Sequence, residues 1–335
     1  MIISKTPLRI SLGGGGTDLP IFSRKYGGLL LTAAIDKYVY VIVRKNFDQG
    51  IRFTGYYNKE IASKPRNIAH PVIKAILSKE NEFRDINDNI EIVVLSDLPA
   101  SSGLGGSSSF VVGLYNALYA LKKIKINQID LAKKAWNLER VILKEEGGVQ
   151  DQYIAALGGL KIMSIGKKDR IKINNIEISR ELKKELEIEL VLVDIGFYRS
   201  SSEVHKKTIK KLKKDKNKMF FLKEIKEIGK LNLNYFMNGK LDQFGMGMHK
   251  HWELKKKYGH NISSDKIEDI YNNALKNGAL GGKVIGAGSG GFMMFYVPIQ
   301  NLINFKNFLK RKKIRNIDFN FDYEGSKILP NIIRE

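Results

Sequence analysis

No cysteine occurs in the 335 residues, which rules out disulfides and thiolate metal sites and is compatible with a cytoplasmic protein. No apolar run is long enough to span a bilayer, and Met1 leads straight into a strand-like pattern rather than a signal-like one. Neither a leader nor a membrane segment is therefore expected, and the expected location is the cytoplasm. Acidic residues are in deficit: 35 Asp and Glu stand against 57 Lys and Arg, for a net charge of +22. A charge of that size admits nucleic-acid binding. Much of the lysine, however, lies between Lys206 and Lys230 and reads as solvated helix surface, while Lys, Ile and Asn abound everywhere, as AT-rich coding would produce. The same charge suits small polyanions such as nucleotides and sugar phosphates, so neither nucleic acid nor membrane is an expected partner. The charge does not fix the oligomeric state.

What is present is enough apolar residue, 43%, for a sizeable core, in a length that suggests about two domains. Ile2 to Leu12 reads as a strand with Leu8, Ile10 and Leu12 on one face and Arg9 and Ser11 on the other. Further strands are expected at Leu29 to Ile35, Tyr38 to Arg44, Ile90 to Leu95, Leu160 to Ile165, Ile188 to Ile195 and Phe292 to Val297. Helical spacing predicts helices near Pro71 to Leu77, from Phe110 to Leu121, from Gln128 to Lys144, and from Asp265 to Asn277. Ser200-Ser-Ser-Glu203 reads as a capping box opening a long lysine-rich helix. The charged stretch Lys167 to Glu187 is the expected boundary region. The mixture argues α+β.

Three glycine-rich loops interrupt this pattern. The first to draw notice, Leu98-Pro-Ala-Ser-Ser-Gly-Leu-Gly-Gly-Ser-Ser-Ser109, lies between a strand and a buried helix. Glycine lets backbone approach an anion closely, and the helix N-terminus adds partial positive charge. No lysine lies between Leu98 and Leu121, which excludes the P-loop pattern. Phosphates here would be held by backbone, hydroxyls and a metal. The other two loops are Gly13-Gly-Gly-Gly-Thr-Asp18 and Gly281 to Gly291.

Several charged residues stand where a fold prefers apolar ones. Glu139 falls within the stripe formed by Ala132, Ala135, Trp136 and Leu143. A carboxylate on a buried face needs a cation, either an internal Arg or Lys or a metal, and the Ser107 hydroxyl could share a Mg²⁺ with it. Asp151, in a glycine-flanked turn, reads alone as a helix cap. Arg9 is placed to neutralise a buried carboxylate, and Asp18 to cap a helix or to accept hydrogen bonds from a polyol.

Together these features resemble the GHMP kinases. Pro99 and Gly103-Leu-Gly105 match the family's Pro-x-x-x-Gly-Leu-Gly-Ser-Ser-Ala signature, with Gly106 where the first serine usually stands and Ser107 at the second. Arg9, Thr17 and Asp18 are in register with the N-terminal Arg-x-x-x-x-Gly-Glu-His-Thr-Asp motif, and Gly281 to Phe292 resembles the C-terminal glycine-rich motif. The resemblance implies a two-domain α+β fold, with an N-terminal domain like domain 2 of ribosomal protein S5 (1–175) and a ferredoxin-like C-terminal domain (176–335). It implies ATP held by Pro99, Ser101, Ser102, Gly103, Leu104, Gly105, Gly106, Ser107 and Ser108. Mg²⁺ would be held by Ser107 and Glu139. Asp151 would accept a proton from the attacking hydroxyl, with Arg9 pairing it, and Thr17 and Asp18 would bind the sugar.

Gly15 and Gly16 replace the Glu-His pair of that motif, removing a carboxylate that would repel a phosphorylated substrate. The pattern is most similar to the D-glycero-D-manno-heptose 7-phosphate kinases, which act on the anomeric C1 hydroxyl to give the 1,7-bisphosphate for nucleotide-activated heptose and surface polysaccharide. L-fucose kinase domains are the main rival. A basic nucleic-acid-binding protein is the remote one, and it leaves Glu139 and the three loops unexplained. A phosphorylated substrate needs an anion site, for which Arg199 with Ser200 at a helix N-terminus, and Lys283, are the candidates.

Overall fold

A computed structural model describes residues 1–79, 81–86, 89–167, 170–199 and 201–330. Ser200 lies outside the described residues, so its expected role in an anion site has no structural account.

The first sheet is built on β1 (Ile2–Gly13) and β2 (Gly28–Lys45). The two strands expected at 29–35 and 38–44 are one continuous strand. The polar break between them is a bulge: Pro7 pairs with Tyr38 but Leu8 with Ile35, leaving Asp36 and Lys37 as extra residues. β3 (Gly50–Thr54), β4 (Lys59–Ala62) and β5 (Asn89–Ser96) extend the sheet from one end of β2, and β6 (Leu160–Ile165) with β7 (Ile171–Asn175) from the other. Leu8, Ile10 and Leu12 of β1 pack in the core on one face, as alternation requires, beneath α3 (Gly106–Leu121).

The expected boundary region contains β7 and a helix, α6 (Arg180–Glu189), capped by Ser179, so the following strand, β8, is only Leu190–Asp194. The second sheet adds β9 (Gly281–Val284), β10 (Phe292–Tyr296) and β11 (Asn316–Ile317), every pairing antiparallel. It is buried on both faces. Phe292, Met294 and Tyr296 enter one core, while Met293 and Phe295 enter another beneath α10 (Asp265–Lys276) and α11 (Leu302–Arg311). That explains the unbroken apolar run at 292–297.

The lysine-rich stretch holds α7 (Ser201–Lys214) and then α8 (Met219–Met237), which forms a hairpin with α9 (Leu241–Tyr258). The chain then returns: β12 (Lys327–Ile328) pairs with β1, so the segment after residue 176 contributes to both sheets. The result is a two-domain α+β fold. Among the described residues no helix is long and apolar enough to cross a membrane.

Two of the glycine loops lie back to back at the seam between the units. A Cβ on Gly286 would sit 2.5 Å from the Gly103 carbonyl oxygen, and one on Gly291 would sit 2.2 Å from that of Ser102. Both glycines have positive φ, +71° and +87°, so only glycine satisfies space and backbone together. Gly286→Ala should cost about 1–3 kcal/mol from strain alone. A urea titration reads it; an unchanged midpoint would mean that the loops do not hold each other in place.

Candidate active site

The residues expected to act together converge on one cleft at this seam. Arg9, only 4% exposed, lies on the β1 face opposite the core. Its Nε donates to Asp151 Oδ1 at 2.8 Å, one terminal nitrogen to Asp151 Oδ2 at 2.9 Å, and the other to the Gly103 carbonyl at 2.6 Å. Asp151 is in the first turn of α5 (Gln150–Leu157) and does not cap it. Asp18 instead accepts from the Val149 backbone N–H at 3.0 Å. Gly148 is required for that approach, since a Cβ there would overlap the Asp18 carboxylate.

Burial pushes the Asp151 carboxyl up, but the charge and hydrogen bonds of Arg9 outweigh it, leaving the group below its ordinary 3.8. Asp18 goes the other way. Burial raises it, and the neighbouring Asp151 charge raises it further.

Glu139 is 2% exposed. The regular helix expected through residue 144 gives way after α4 (Gln128–Trp136) to a π-helical segment, Asn137–Ile142, which carries Glu139; such segments are common at functional positions. Its carboxylate accepts from Ser107 Oγ at 3.3 Å, from Ser108 Oγ at 2.7 Å, and from the Gln152 side chain. Burial pushes its carboxyl up, against the nearby Arg140 charge and these hydrogen bonds. Glu139 and Ser107 offer hard oxygen donors of the kind Mg²⁺ takes alongside water and phosphate oxygens, so the residues fit that ion. Among the described residues, no group of three or more His, Cys, Asp and Glu forms a closed metal cage.

The first turn of α3 has no side-chain cap, and its N-cap is Gly105 at φ 81°. Its orphan N–H groups and the Ser107 hydroxyl therefore open onto the cleft, which Ser101, Ser102, Gly103, Gly105, Gly106 and Ser108 also line. Pro99 and Leu104 do not line it; Leu104 is fully buried in the core, and its carbonyl receives the Arg9 backbone N–H. Gly15, Gly16, Asp18 and Lys283 line it as well.

Like Pro99 and Leu104, Thr17 and Arg199 depart from expectation. Thr17 is fully buried, and its hydroxyl bridges the Gly14 and Leu29 carbonyls, so it braces the loop instead of facing a ligand. Arg199 is exposed and outside the cleft, because α7 turns Ser201, Ser202 and His205 toward it instead. The lining residues that were missed include His205, His251, Lys255 and Tyr258. The last three occupy one face of α9 at spacings of four and three. The available signal was Lys255 continuing the apolar stripe Phe244, Met248, Trp252, the same kind of interruption that marked Glu139.

Known proteins match this arrangement. The model of the GHMP kinases N terminal domain matches residues 67–159, and that of the GHMP kinases C terminal region matches 225–311. The chain is 31% identical to the D-glycero-alpha-D-manno-heptose 7-phosphate kinase of Campylobacter jejuni, over 97% of this chain and 98% of that one. The chain belongs to the GHMP kinase family. Another family member, described as a D-glycero-D-manno-heptose 1-phosphate kinase from Bacteroides thetaiotaomicron, has a crystal structure that superposes with a TM-score of 0.79 at 26% identity, over 98% of this chain and 99% of that one. The L-fucokinase/L-fucose-1-P guanylyltransferase of Bacteroides fragilis is 25% identical, over 88% of this chain but 34% of that one.

The Arg9–Asp151 pair gives a GHMP kinase of this kind a definite acid response. In the native chain the pair's contribution is complete above about 3.8 and is lost as pH falls through the lower native value. With Arg9→Met, burial pushes the Asp151 carboxyl up against the more distant Arg140 charge, so the variant lacks the stabilisation that the native pair gains as pH rises through 3.8. The difference between native and variant proteins should therefore be smaller at pH 3 than at pH 7, where it reaches about 3–5 kcal/mol. Urea titrations at the two pH values measure it, and a deficit independent of pH would show that the ion pair is not its source.

Proposed function

We propose that this GHMP-family sugar kinase is ATP-dependent and transfers the γ-phosphoryl group to the C1 hydroxyl of D-glycero-D-manno-heptose 7-phosphate, giving the 1,7-bisphosphate. The near full-length identity to the C. jejuni heptose 7-phosphate kinase carries the substrate assignment. Gly15 supports it, because a carboxylate at that position would repel a substrate phosphate.

In this reading the α3 N-terminus with Ser101 to Ser108 takes the nucleotide phosphates, and Glu139 and Ser107 hold Mg²⁺. When bound, that ion neutralises charge on the phosphate oxygens. Asp151 accepts a hydrogen bond from the C1 hydroxyl and aims its oxygen at the γ-phosphorus. The new C1–O–P bond forms as the bond from phosphorus to the β,γ-bridging oxygen breaks, and ADP leaves. A carboxylate held as acidic as Asp151 takes the proton late, once the attacking oxygen has begun to bond phosphorus. Arg9 keeps it ionised and oriented. Asp18, beside it, accepts hydrogen bonds from sugar hydroxyls.

Asp151→Asn should lower kcat by about 100-fold or more while leaving ATP affinity nearly unchanged; near-normal turnover would remove Asp151 as the proton acceptor. Glu139→Gln should raise the Mg²⁺ concentration for half-maximal rate by at least about tenfold, and chelation of Mg²⁺ should abolish turnover of the native enzyme. A requirement unchanged from the native enzyme would take Glu139 out of the metal site. The substrate assignment is tested by coupled ATP consumption with heptose 7-phosphate, fucose, galactose, mannose and mevalonate. The fucokinase similarity supplies the second reading, and turnover with unphosphorylated fucose alone would replace the first by it.

A further inference from the structure

Beside Gly15, in the same cleft as the Arg9–Asp151 pair, three elements bring together polar groups that the chemistry above does not use. β1 contributes Ser11, on the same face as Arg9; α9 contributes His251 and Lys255, one helical turn apart; β9 contributes Lys283. All four line the cleft, and all are nearly inaccessible: Ser11 is 5% exposed, His251 1%, Lys255 6% and Lys283 2%. The Lys255 ammonium donates to the Val284 carbonyl at 3.0 Å and to that of Gly286 at 2.7 Å. Among the described residues, Lys283 has no ion pair, and Ser11 Oγ and His251 Nδ1 have no hydrogen-bond partner.

An unpaired buried ammonium is costly, as are unpaired buried polar groups, and a fold that served only itself would fill these positions with apolar residues. The cost is recovered when an anion arrives. Lys255, Arg9 and Lys283 repel one another as the site stands. Burial, followed by these neighbouring charges, lowers Lys283 and pushes Lys255 down to about 7.

We propose that Ser11, His251, Lys255 and Lys283 form the subsite for the second phosphate of a sugar phosphate, the group remote from the hydroxyl that reacts. The inference rests on the sugar-phosphate reading and moves its anion site from Arg199 to this cluster. The position of Gly15 ties the cluster to the acceptor and not the nucleotide. A Cβ on Gly15 would lie 3.1 Å from Ser11 Oγ and 3.8 Å from the His251 ring, with nothing closer. A longer acidic side chain there would therefore reach into the cluster and take the place of the substrate's anion.

The test compares the native enzyme with Lys283→Met, Lys283→Arg and Gly15→Glu, on heptose 7-phosphate and on the same heptose without phosphate, with ATP varied separately. Losing one charge-assisted contact to phosphate should raise KM for heptose 7-phosphate by about 10- to 100-fold in Lys283→Met. KM for ATP should stay within about twofold, the preference for heptose 7-phosphate over the unphosphorylated heptose, as the ratio of their kcat/KM values, should fall by the same factor, and Lys283→Arg should recover part of the loss. Gly15→Glu should repeat the pattern while leaving every cation in place, which keeps the test valid if Lys283→Met fails to fold. A matching rise in KM for ATP would assign the cluster to the nucleotide and overturn the inference, as would an unchanged KM for heptose 7-phosphate. If the native enzyme itself does not distinguish the phosphorylated from the unphosphorylated sugar, the sugar-phosphate reading fails first, and the inference falls with it.

Discussion

One guanidinium ties three parts of the cleft together. Arg9 reaches from β1 to both oxygens of Asp151 at the start of α5 and to the Gly103 carbonyl in the loop before α3. Three elements far apart in sequence therefore share a single buried charge. A bidentate fork fixes the carboxylate in rotation as well as in distance, which a lysine at the same place would not do. The loop must accommodate the arginine: a Cβ on Gly105 would come within 3.0 Å of Arg9 Cγ, and Gly105 has a φ of +81°. The glycine at the N-terminal end of α3 is thus shaped by the arginine as much as by any ligand.

The position of the cleft follows from a second constraint, the contact between the two glycine loops. Ser102 and Gly103 from one unit pack against Gly286 and Gly291 from the other with no room for side chains. Backbone on backbone gives a seam too close to be filled by rotamer changes, so the cleft walls keep their spacing. Lys255 strengthens it by donating to the Val284 and Gly286 carbonyls from α9. In the sequence the C-terminal loop shows its glycines but not something for them to approach. That something is the first loop.

How far the sequence could be read depended on whether a residue's oddity was local. Glu139 interrupts an apolar stripe within its own helix, and it was legible. The π-helical segment that carries it was not, since a one-residue widening leaves the composition unchanged. Arg9 could be seen to face away from the core, but its partner lies 142 positions on, and no period links the two. Asp151 looked like a cap because aspartate so often is one; the N-cap is Val149, and its own N–H is met by Asp18 from another loop. Thr17 and Arg199 misled for one reason: motif position and capping pattern say which residue type is present, not which way the chain turns it. The strands at 90–95, 160–165 and 292–297 were legible because their β-branched or apolar runs are short and bounded.

The charge of this protein divides into two parts with different physics. The lysines of α7 and α8 are mostly solvated, where salt screens them and each contributes little to stability. They make a diffuse positive field that raises the encounter rate of any polyanion without choosing among them. Lys255 and Lys283 are the opposite case, few and almost out of reach of water. There the dielectric is low and each charge is strongly felt, for a correctly placed anion and against a misplaced one. Discrimination between a sugar and its phosphate cannot come from the outer field, which acts on the nucleotide equally. In the proposed reading that discrimination falls to Lys255 and Lys283, and Gly15, by leaving the space beside the cluster without a carboxylate, keeps it open to the substrate's anion.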